Sequence, residues 1–338
     1  AFTMRVPIGV VLAVTPFNSP LNTVMHKVAP AFAAGNAVIV KPSTNTPVTT
    51  GKMADIFMRS GMPSGFLSVL HGGGDVVQQT LEDERIRFIA FTGSTEVGRL
   101  IQRKAELRRT QMELGSIAFT LVNEDADLAK ALPKIVSAGY RKAGQVCTSV
   151  QMLLVHRNIL DQVTRQMTDL VKAVPFGDPK DDSTVTGPLI SEKDAMRVEE
   201  WIEEALAKGA TRLAGGPRSG SVVPPTLLTD VSSDMRVGCQ EIFGPVVVIA
   251  PFDDLDDAIG RVNATPYGLA TGCFTNRLSD AFKLARKLHV GGVHINETSS
   301  SRVDLMPYGG SKDSGFGREG PGYAIHEMTE ERVVSISA

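Results

Sequence analysis

The stretch Ile8-Gly9-Val10-Val11-Leu12-Ala13-Val14, closed by Thr15-Pro16-Phe17-Asn18, decides the fold. Its apolar part, which can be extended back to residue 6, is continuous rather than alternating. Such a run reads as a strand buried on both faces, the kind found in parallel sheets covered by helices. The same pattern repeats further along. Helical stretches at Leu21–Ala34, Thr50–Ser60, Asp75–Glu84 and Val97–Arg109 alternate with short apolar runs at Ala37–Val40, Leu67–Leu70 and Phe88–Phe91. Gly35-Asn36, Lys41-Pro42-Ser43 and Gly72-Gly73-Gly74 punctuate the boundaries. The prediction is a doubly wound α/β layout, in which ligands bind in the loops at the carboxyl ends of the strands.

From Ser116 a second α/β segment begins. Strands are expected near Phe119–Val122, Gln151–His156, Val246–Ala250, Thr271–Thr275 and Gly292–Ile295. Helices are expected near Leu128–Ala138, Ile159–Val171, Ser191–Lys208, Leu255–Ala264 and Ser279–Leu288, and a helix at Tyr323–Glu327 precedes a short strand at Glu331–Ser337. The domain border is placed near residue 115.

Composition narrows the function. With 338 residues, 42% hydrophobic and 21% charged, the chain has the make-up of an ordinary soluble globular protein with room for two domains. A net charge of -2 and no dense Lys/Arg run leave no electrostatic footprint for nucleic acid or an anionic membrane. No apolar run approaches the roughly 18 residues of a span. Three widely spaced cysteines, 147, 239 and 273, fit a reduced cytoplasmic interior better than a disulfide framework.

A lone cysteine is more often a packing residue than a nucleophile. Cys147 differs in its setting, Ala-Gly-Gln-Val-Cys-Thr-Ser over 143–149, which is too small and polar for a buried strand. Met-Glu-Leu-Gly (112–115) upstream and Glu-Ile-Phe-Gly-Pro (241–245) downstream add the carboxylates that deacylation and a cofactor pocket require. Cys239 and Cys273 lie beside strands and read as packing. The six histidines show no i,i+4 pair and no cysteine partner at zinc spacing, so no metal site is expected. Asp313-Ser314-Gly315 has no G-x-S-x-G elbow and reads as a loop. Gly93-Ser94-Thr95-Glu96-Val97-Gly98 continues with Arg99-Leu100 where a triphosphatase loop needs Lys and Ser/Thr, and Gly72-x-Gly74 lacks the third glycine of the dinucleotide fingerprint.

Taken in order, Thr15–Asn18, Val40–Ser43, Phe91–Gly98, Met112–Gly115, Gly144–Cys147, Glu241–Pro245 and Met306–Gly315 resemble the NAD(P)-dependent aldehyde dehydrogenase superfamily along essentially the whole chain. The 34 positions from Glu113 to Cys147 (147 − 113) also match the family arrangement. The resemblance implies a Rossmann-like cofactor domain over 1–115, a catalytic domain over 116–318, and a carboxyl-terminal helix and oligomerisation strand over 319–338. It implies that Cys147 attacks the aldehyde to give a thiohemiacetal, that the Asn18 amide and a backbone N–H near Cys147 hold the oxyanion, and that Glu113 activates the deacylating water. NAD or NADP is then held by Thr15, Pro16, Phe17, Lys41, Ser43, Thr44, Gly93, Ser94, Val97, Leu114, Glu241 and Phe243. Lys41 meets the adenosine ribose, Glu241 the nicotinamide ribose, Phe243 flanks the ring, and the helix start at Ser94 suits the pyrophosphate. Without the resemblance, Glu113 reads as a solvated carboxylate at a helix end.

Three departures from the family pattern carry expectations. Thr44 stands where many members have a glutamate, which admits NADP beside NAD. Ser116-Ile117 replace the usual Gly-Lys, a subgroup variation. Family members are also longer, implying that helices packed on the cofactor sheet and a strand of the oligomerisation arm are missing from the amino-terminal side. An uncovered sheet face would be an apolar patch. The region Ile295–Pro307 looks like members that take lactaldehyde, succinate semialdehyde or glyceraldehyde-3-phosphate, with Arg302 either meeting an anionic group or pairing at the surface. A small aldehyde substrate and a homo-oligomer, dimer or tetramer, are expected. A CoA-acylating dehydrogenase, an inactive structural or oligomerising fragment, and a cysteine hydrolase stay open as alternatives.

Overall fold

The computed structural model describes residues 1–337. Its strands are β1 (Phe2–Pro7), β2 (Val10–Val14), β3 (Ala37–Lys41), β4 (Leu67–Val69), β5 (Ile86–Thr92), β6 (Arg109–Glu113), β7 (Ala118–Val122), β8 (Val150–His156), β9 (Thr211–Ala214), β10 (Thr226–Thr229), β11 (Val246–Phe252), β12 (Ala270–Phe274), β13 (Gly292–Ile295), β14 (Gly315–Phe316) and β15 (Thr329–Val334). Its helices are α1 (Asn22–Ala33), α2 (Pro47–Arg59), α3 (Gly74–Leu81), α4 (Thr95–Ala105), α5 (Leu128–Tyr140), α6 (Leu160–Lys172), α7 (Glu192–Ala207), α8 (Arg236–Cys239), α9 (Leu255–Ala264), α10 (Leu278–Lys287) and α11 (Pro321–Glu327). They divide into two compact units, the first comprising Ala1–Leu114, Arg302–Gly310 and the chain from Ser314 onward, the second Gly115–Ser301 and Ser311–Asp313.

The first unit holds a six-stranded sheet in the order β14-β6-β5-β2-β3-β4, parallel except where β14 meets β6. The chain steps outward from β2 through β3 to β4, then crosses back to lay β5 and β6 on the other side. The sheet is doubly wound. Val11 and Ala13 point into a core with Val24, Val28 and Met53 of α1 and α2, while Leu12 and Val14 point into another with Val77, Leu81 and Ile101 of α3 and α4. Burial on both faces explains why β2 carries no polar residue. Each such Val or Leu contributes about 1.5–3 kcal/mol when fully buried.

The second unit holds a seven-stranded sheet ordered β13-β12-β7-β8-β11-β10-β9, with only β9 antiparallel. Phe119, Leu121 and Leu154 face a core shared with α7 and α9, and Val122, Leu153 and Val155 face one shared with α5 and α6.

Several elements differ from expectation. The run from residue 6 to 14 is not one strand: Gly9 adopts φ +123° and splits it, so β1 forms an exposed ribbon with β15 while β2 enters the sheet. Val97–Arg109 is not helical to its end. Helix α4 stops at Ala105, Glu106 takes φ +51°, and Arg109–Glu113 is a strand. That strand escaped notice because it is polar, yet Gln111, Met112 and Glu113 are buried, with the Gln111 amide donating to the Arg318 carbonyl and to Glu327. The short β9 and β10 were also not anticipated. Finally, 302–310 and 314–318, expected within a 116–318 domain, group with the first unit because β14 pairs with β6 and Tyr308 bridges Glu319 there.

Candidate active site

The carboxyl edge of the first sheet collects the residues expected there. Thr15–Asn18 follow β2, Lys41 ends β3 with Ser43 and Thr44 just beyond, Gly93 and Ser94 follow β5, and Glu113 ends β6. Backbone bonds tie these ends together: the Thr15 N–H donates to the Lys41 carbonyl (3.2 Å) and the Gly93 N–H to that of Glu113 (3.1 Å). The strand order reverses between β2 and β5, the position at which doubly wound sheets open a crevice for a ligand.

The local chemistry of this edge fits a dinucleotide. Ser94 caps α4, its hydroxyl accepting from the Val97 N–H (3.4 Å), and the exposed helix start offers N–H groups to a phosphate. A Cβ on Gly93 would lie 2.5 Å from the Phe91 ring, and one on Gly98 would lie 2.4 Å from Leu114, so both glycines keep the turn and α4 close to the sheet. The Thr15 hydroxyl is buried without a hydrogen-bond partner in the protein. Burial pushes the Lys41 ammonium below its ordinary range, with Asp75 pulling the other way. Thr44 is exposed, Ser43 is half-buried, and Val97 is exposed on the first turn of α4.

Glu113 is not a solvated helix-end carboxylate: it is buried at the end of a strand, and its Oε1 lies 3.5 Å from the Tyr308 hydroxyl. Arg302 lies at the surface, with its guanidinium engaged by neighbours. It stacks on the Tyr308 ring, with Cζ 4.0 Å from the centroid, and donates to Glu319 Oε2 at 3.0 Å. Glu319 is buried and also meets Lys27 Nζ at 2.8 Å. Burial alone would raise the Glu319 carboxyl, but Lys27 and Arg302 outweigh it and hold it down at about 2.

In the second unit, Cys147 is half-buried and follows an unusual turn. Lys142, Ala143 and Gly144 all have positive φ (53°, 54° and 68°), three successive left-handed residues of which only the last is glycine. Gly144 is packed so closely that a Cβ would sit 2.0 Å from the Gly244 carbonyl oxygen. This contact sets the cysteine turn against the Glu241–Pro245 loop. That loop is held in turn by Gln151, whose amide donates to the Val237 and Gln240 carbonyls and accepts from the Ile242 N–H (3.0 Å), and by Arg197, which donates to the Ile242 carbonyl (2.9 Å). Phe243 is consequently left-handed, φ +47°, and Glu241 Oε1 accepts from the Ser116 N–H (3.0 Å). Cys273 lies buried in β12, where burial pushes its thiol up to about 12, and Cys239 ends α8 half-buried.

A group that sequence reasoning missed stands beside the cysteine. Arg141 is exposed and donates to the Ser300 hydroxyl, which lies 3.2 Å from the Thr148 hydroxyl, while Ser299 donates to the Thr148 carbonyl (2.9 Å). The residue after Cys147 is thus fastened to the segment 299–300, with a guanidinium at the same spot. The signal was available six residues before the cysteine, but attention went to the arginine in the later motif. A cavity of about 1010 Å³ lined by α1, α2 and α11 contains none of the expected site residues. No cluster of three or more His, Cys, Asp or Glu side chains suited to a metal ion occurs among the described residues.

Comparison with known proteins agrees with this arrangement. The profile of the Aldehyde dehydrogenase family matches residues 1–334. The chain is 48% identical to 3-sulfolactaldehyde dehydrogenase of Priestia aryabhattai over 100% of its own length and 71% of that protein's. Among solved structures it resembles aldehyde dehydrogenase 21 from Physcomitrella patens in complex with the reaction product succinate (TM-score 0.96, 38% identity, 98% of this chain and 69% of that one). It also resembles glyceraldehyde-3-phosphate dehydrogenase GapN from Methanocaldococcus jannaschii complexed with NADP (TM-score 0.94, 39% identity, 98% and 73%). A strand-end edge suited to a dinucleotide, a constrained cysteine turn and a full-length family match converge: the chain belongs to the aldehyde dehydrogenase family and is an NAD(P)-dependent oxidoreductase acting on aldehydes.

Proposed function

We propose that this enzyme oxidises a short aldehyde bearing an anionic group, with Cys147 as nucleophile, Glu113 as general base and Arg141 as the cation that recognises the anion. Cys147 Sγ forms a bond to the aldehyde carbon, and the Asn18 amide with a backbone N–H near Cys147 holds the resulting oxyanion. A bound nicotinamide cofactor would supply the hydride acceptor that oxidation of the thiohemiacetal to a thioester requires. Glu241 would hold its nicotinamide ribose and Phe243 would flank the ring, while Thr15, Pro16, Phe17, Lys41, Ser43, Gly93, Ser94, Val97 and Leu114 would hold the rest of the dinucleotide. Glu113 then takes a proton from water, whose oxygen attacks the thioester carbon and releases the carboxylate and the Cys147 thiol.

The observation that carries the substrate class is the Arg141–Ser300–Thr148 linkage, because it holds an exposed guanidinium near the residue that follows Cys147. A sulfonate, phosphate or carboxylate suits a guanidinium fork better than a neutral tail does. Names borne by similar proteins, 3-sulfolactaldehyde and glyceraldehyde-3-phosphate dehydrogenase, point the same way. Exposed Thr44 offers no carboxylate against a 2′-phosphate, so the reading includes NADP as well as NAD.

A panel of short aldehydes, charged and neutral, assayed with NAD and NADP and with or without CoA, tests this reading. Anionic aldehydes should be preferred without need for CoA, and Arg141→Ala should raise their KM roughly tenfold or more while sparing neutral ones. Preference for neutral aldehydes in the unaltered enzyme sinks the substrate class. Thr44→Glu should weaken NADP more than NAD.

We also assign the β1–β15 ribbon, with Phe2, Met4 and Val333 exposed, to self-association into a dimer or tetramer, which light scattering checks. No described helix is long and apolar enough to cross a membrane, and the reading of a cytoplasmic setting rests on the small number and wide spacing of the cysteines.

A further inference from the structure

Glu241 and Phe243, the residues given to the nicotinamide ribose and ring, stand neither on a strand nor on a long helix. They belong to the loop between α8, a helix of four residues, and β11. Ile242 lies between them, almost wholly out of solvent in the core that also holds Trp201 and Val198 of α7. Both of its backbone polar groups are taken by side chains from other elements. Its N–H donates to Gln151 Oε1 of β8 (3.0 Å), and its carbonyl accepts from Arg197 Nη2 of α7 (2.9 Å). The first bond fixes the peptide plane that follows Glu241, the second the plane that precedes Phe243, and each plane helps set the direction in which the neighbouring side chain leaves the loop. Phe243 is held at φ +47°, a conformation that a bulky residue keeps only where its surroundings impose it.

Other contacts hold the same loop at its flanks. Glu241 Oε1 accepts from the Ser116 N–H, Gly244 packs against Gly144 and Val198, and the Pro245 carbonyl accepts from the Thr226 N–H (2.9 Å). Arg197 differs from these in what it joins. Its guanidinium lies 5.1 Å from the ring centroid of Trp201, which is nearly buried one turn further along α7 and is the single tryptophan of the chain. Arg236 approaches the same ring at 5.4 Å and is tied down by Glu200 (2.9 Å) and Glu204. Burial pushes the Arg197 guanidinium below its ordinary range, with Asp194 and then Glu241 pulling the other way, so the Glu241 carboxylate is within its electrostatic reach.

We infer that Arg197 is a positioning residue for the nicotinamide half of the cofactor, holding the peptide between Ile242 and Phe243, and that Trp201 senses through it whether the Glu241–Pro245 loop is occupied. The inference rests on the reading of Glu241 and Phe243 as the groups that meet the nicotinamide ribose and ring. Loss of the guanidinium takes a charged donor from the Ile242 carbonyl and loosens the plane that aims Phe243. An indole's emission responds to the charge beside its ring, so a small movement of the guanidinium becomes visible.

The test uses the full chain, NAD, and ADP as a probe that lacks both the nicotinamide ribose and the ring. In the unaltered enzyme, NAD should change Trp201 emission saturably, and ADP at saturation should not. This comparison needs no variant. An equal response to both ligands, or none to NAD, overturns the sensing role. Arg197→Met keeps the length of the side chain but donates no bond. The expected result is a KM for NAD raised roughly tenfold, a slower burst of reduced cofactor, an unchanged affinity for ADP by calorimetry, an unchanged KM for the aldehyde, and loss of the emission response at saturating NAD. Arg197→Lys retains the charge and a donor, and should restore part of both. Lys no better than Met would mean that packing rather than the donated bond holds the loop, which overturns the positioning role. So does an unchanged KM for NAD in Arg197→Met, or a fall in NAD and ADP affinity together. Glu241→Gln, run in parallel, separates the two ideas: if it raises the KM for NAD while Arg197→Met does not, only the positioning role fails, and if it leaves that KM unchanged, the ribose assignment fails with it.

Discussion

In the first unit, Thr15, Lys41, Gly93 and Glu113 reach one edge because each stands at the end of a strand in the same parallel sheet. In the second, Cys147 follows a turn of three left-handed residues packed against the Glu241–Pro245 loop. The first arrangement tolerates local change, since the sheet register is fixed by many apolar side chains. The second depends on a few close contacts, each of which matters more. Strain of this kind, of order 1–3 kcal/mol per residue, persists only where the surroundings over-determine it.

The comparison is most sharply broken at the cysteine. Cys147→Ala should reduce aldehyde oxidation below detection while leaving nucleotide affinity, measured by calorimetry, nearly unchanged, because the thiol is not among the groups assigned to the dinucleotide. Loss of nucleotide binding in this variant would falsify the division of labour.

Glycine substitutions sharpen the contrast. Gly144→Ala places a methyl 2.0 Å from a backbone oxygen at φ +68°, where neither atom has room to move, and should cost about 4 kcal/mol or displace the cysteine turn. Gly93→Ala meets the Phe91 ring at 2.5 Å, which can tilt, and should cost about 1–2 kcal/mol. Denaturant unfolding of both variants checks the order; equal losses would mean that the cysteine turn is no more constrained than the strand-end loop.

Acid provides a smaller and graded test. Glu319 is held down at about 2 against 4.5 when unpaired, so its contribution to stability is fully present above about 4.5 and lost as pH falls toward 2. Melting curves of the unaltered chain and Glu319→Gln between pH 5 and about 2.5 should show this part of the slope missing in the variant. An identical slope would mean that Glu319 does not exchange its proton on unfolding.

Much of this was legible in the sequence, for physical reasons that differ by element. Helix α9 falls where it was expected because its apolar period is clear and Asp254 caps it. Strand β2 announced itself through unbroken apolar residues. Strand β6 did not, because Gln111 and Glu113 are buried with partners that lie some two hundred positions further on, and no local pattern records them. Arg302 was expected to meet an anionic group or to pair at the surface; its stack on Tyr308 and its bond to Glu319 are not legible, since Glu319 reads in sequence as one more charged residue near a glycine-rich loop. Arg141 was overlooked because an arginine beside a lysine looks like a solvated surface. The roles proposed for Cys147 and Glu113 rest on ordered motifs rather than periodicity, and so do not depend on where any strand lies.

Strand β14 carries a consequence for how the molecule is made. It is only two residues long, yet it closes the outer edge of β6, and it is synthesised after the whole second unit. Until then, β6 presents open N–H and C=O groups to any passing strand. The β6 edge of the first sheet is thus among the last places to become native, although the sheet's other strands are synthesised well before β14. Slow closure through so large a loop favours a waiting intermediate over a single cooperative step. Crowded expression and early chain termination would therefore both expose the same aggregation-prone edge.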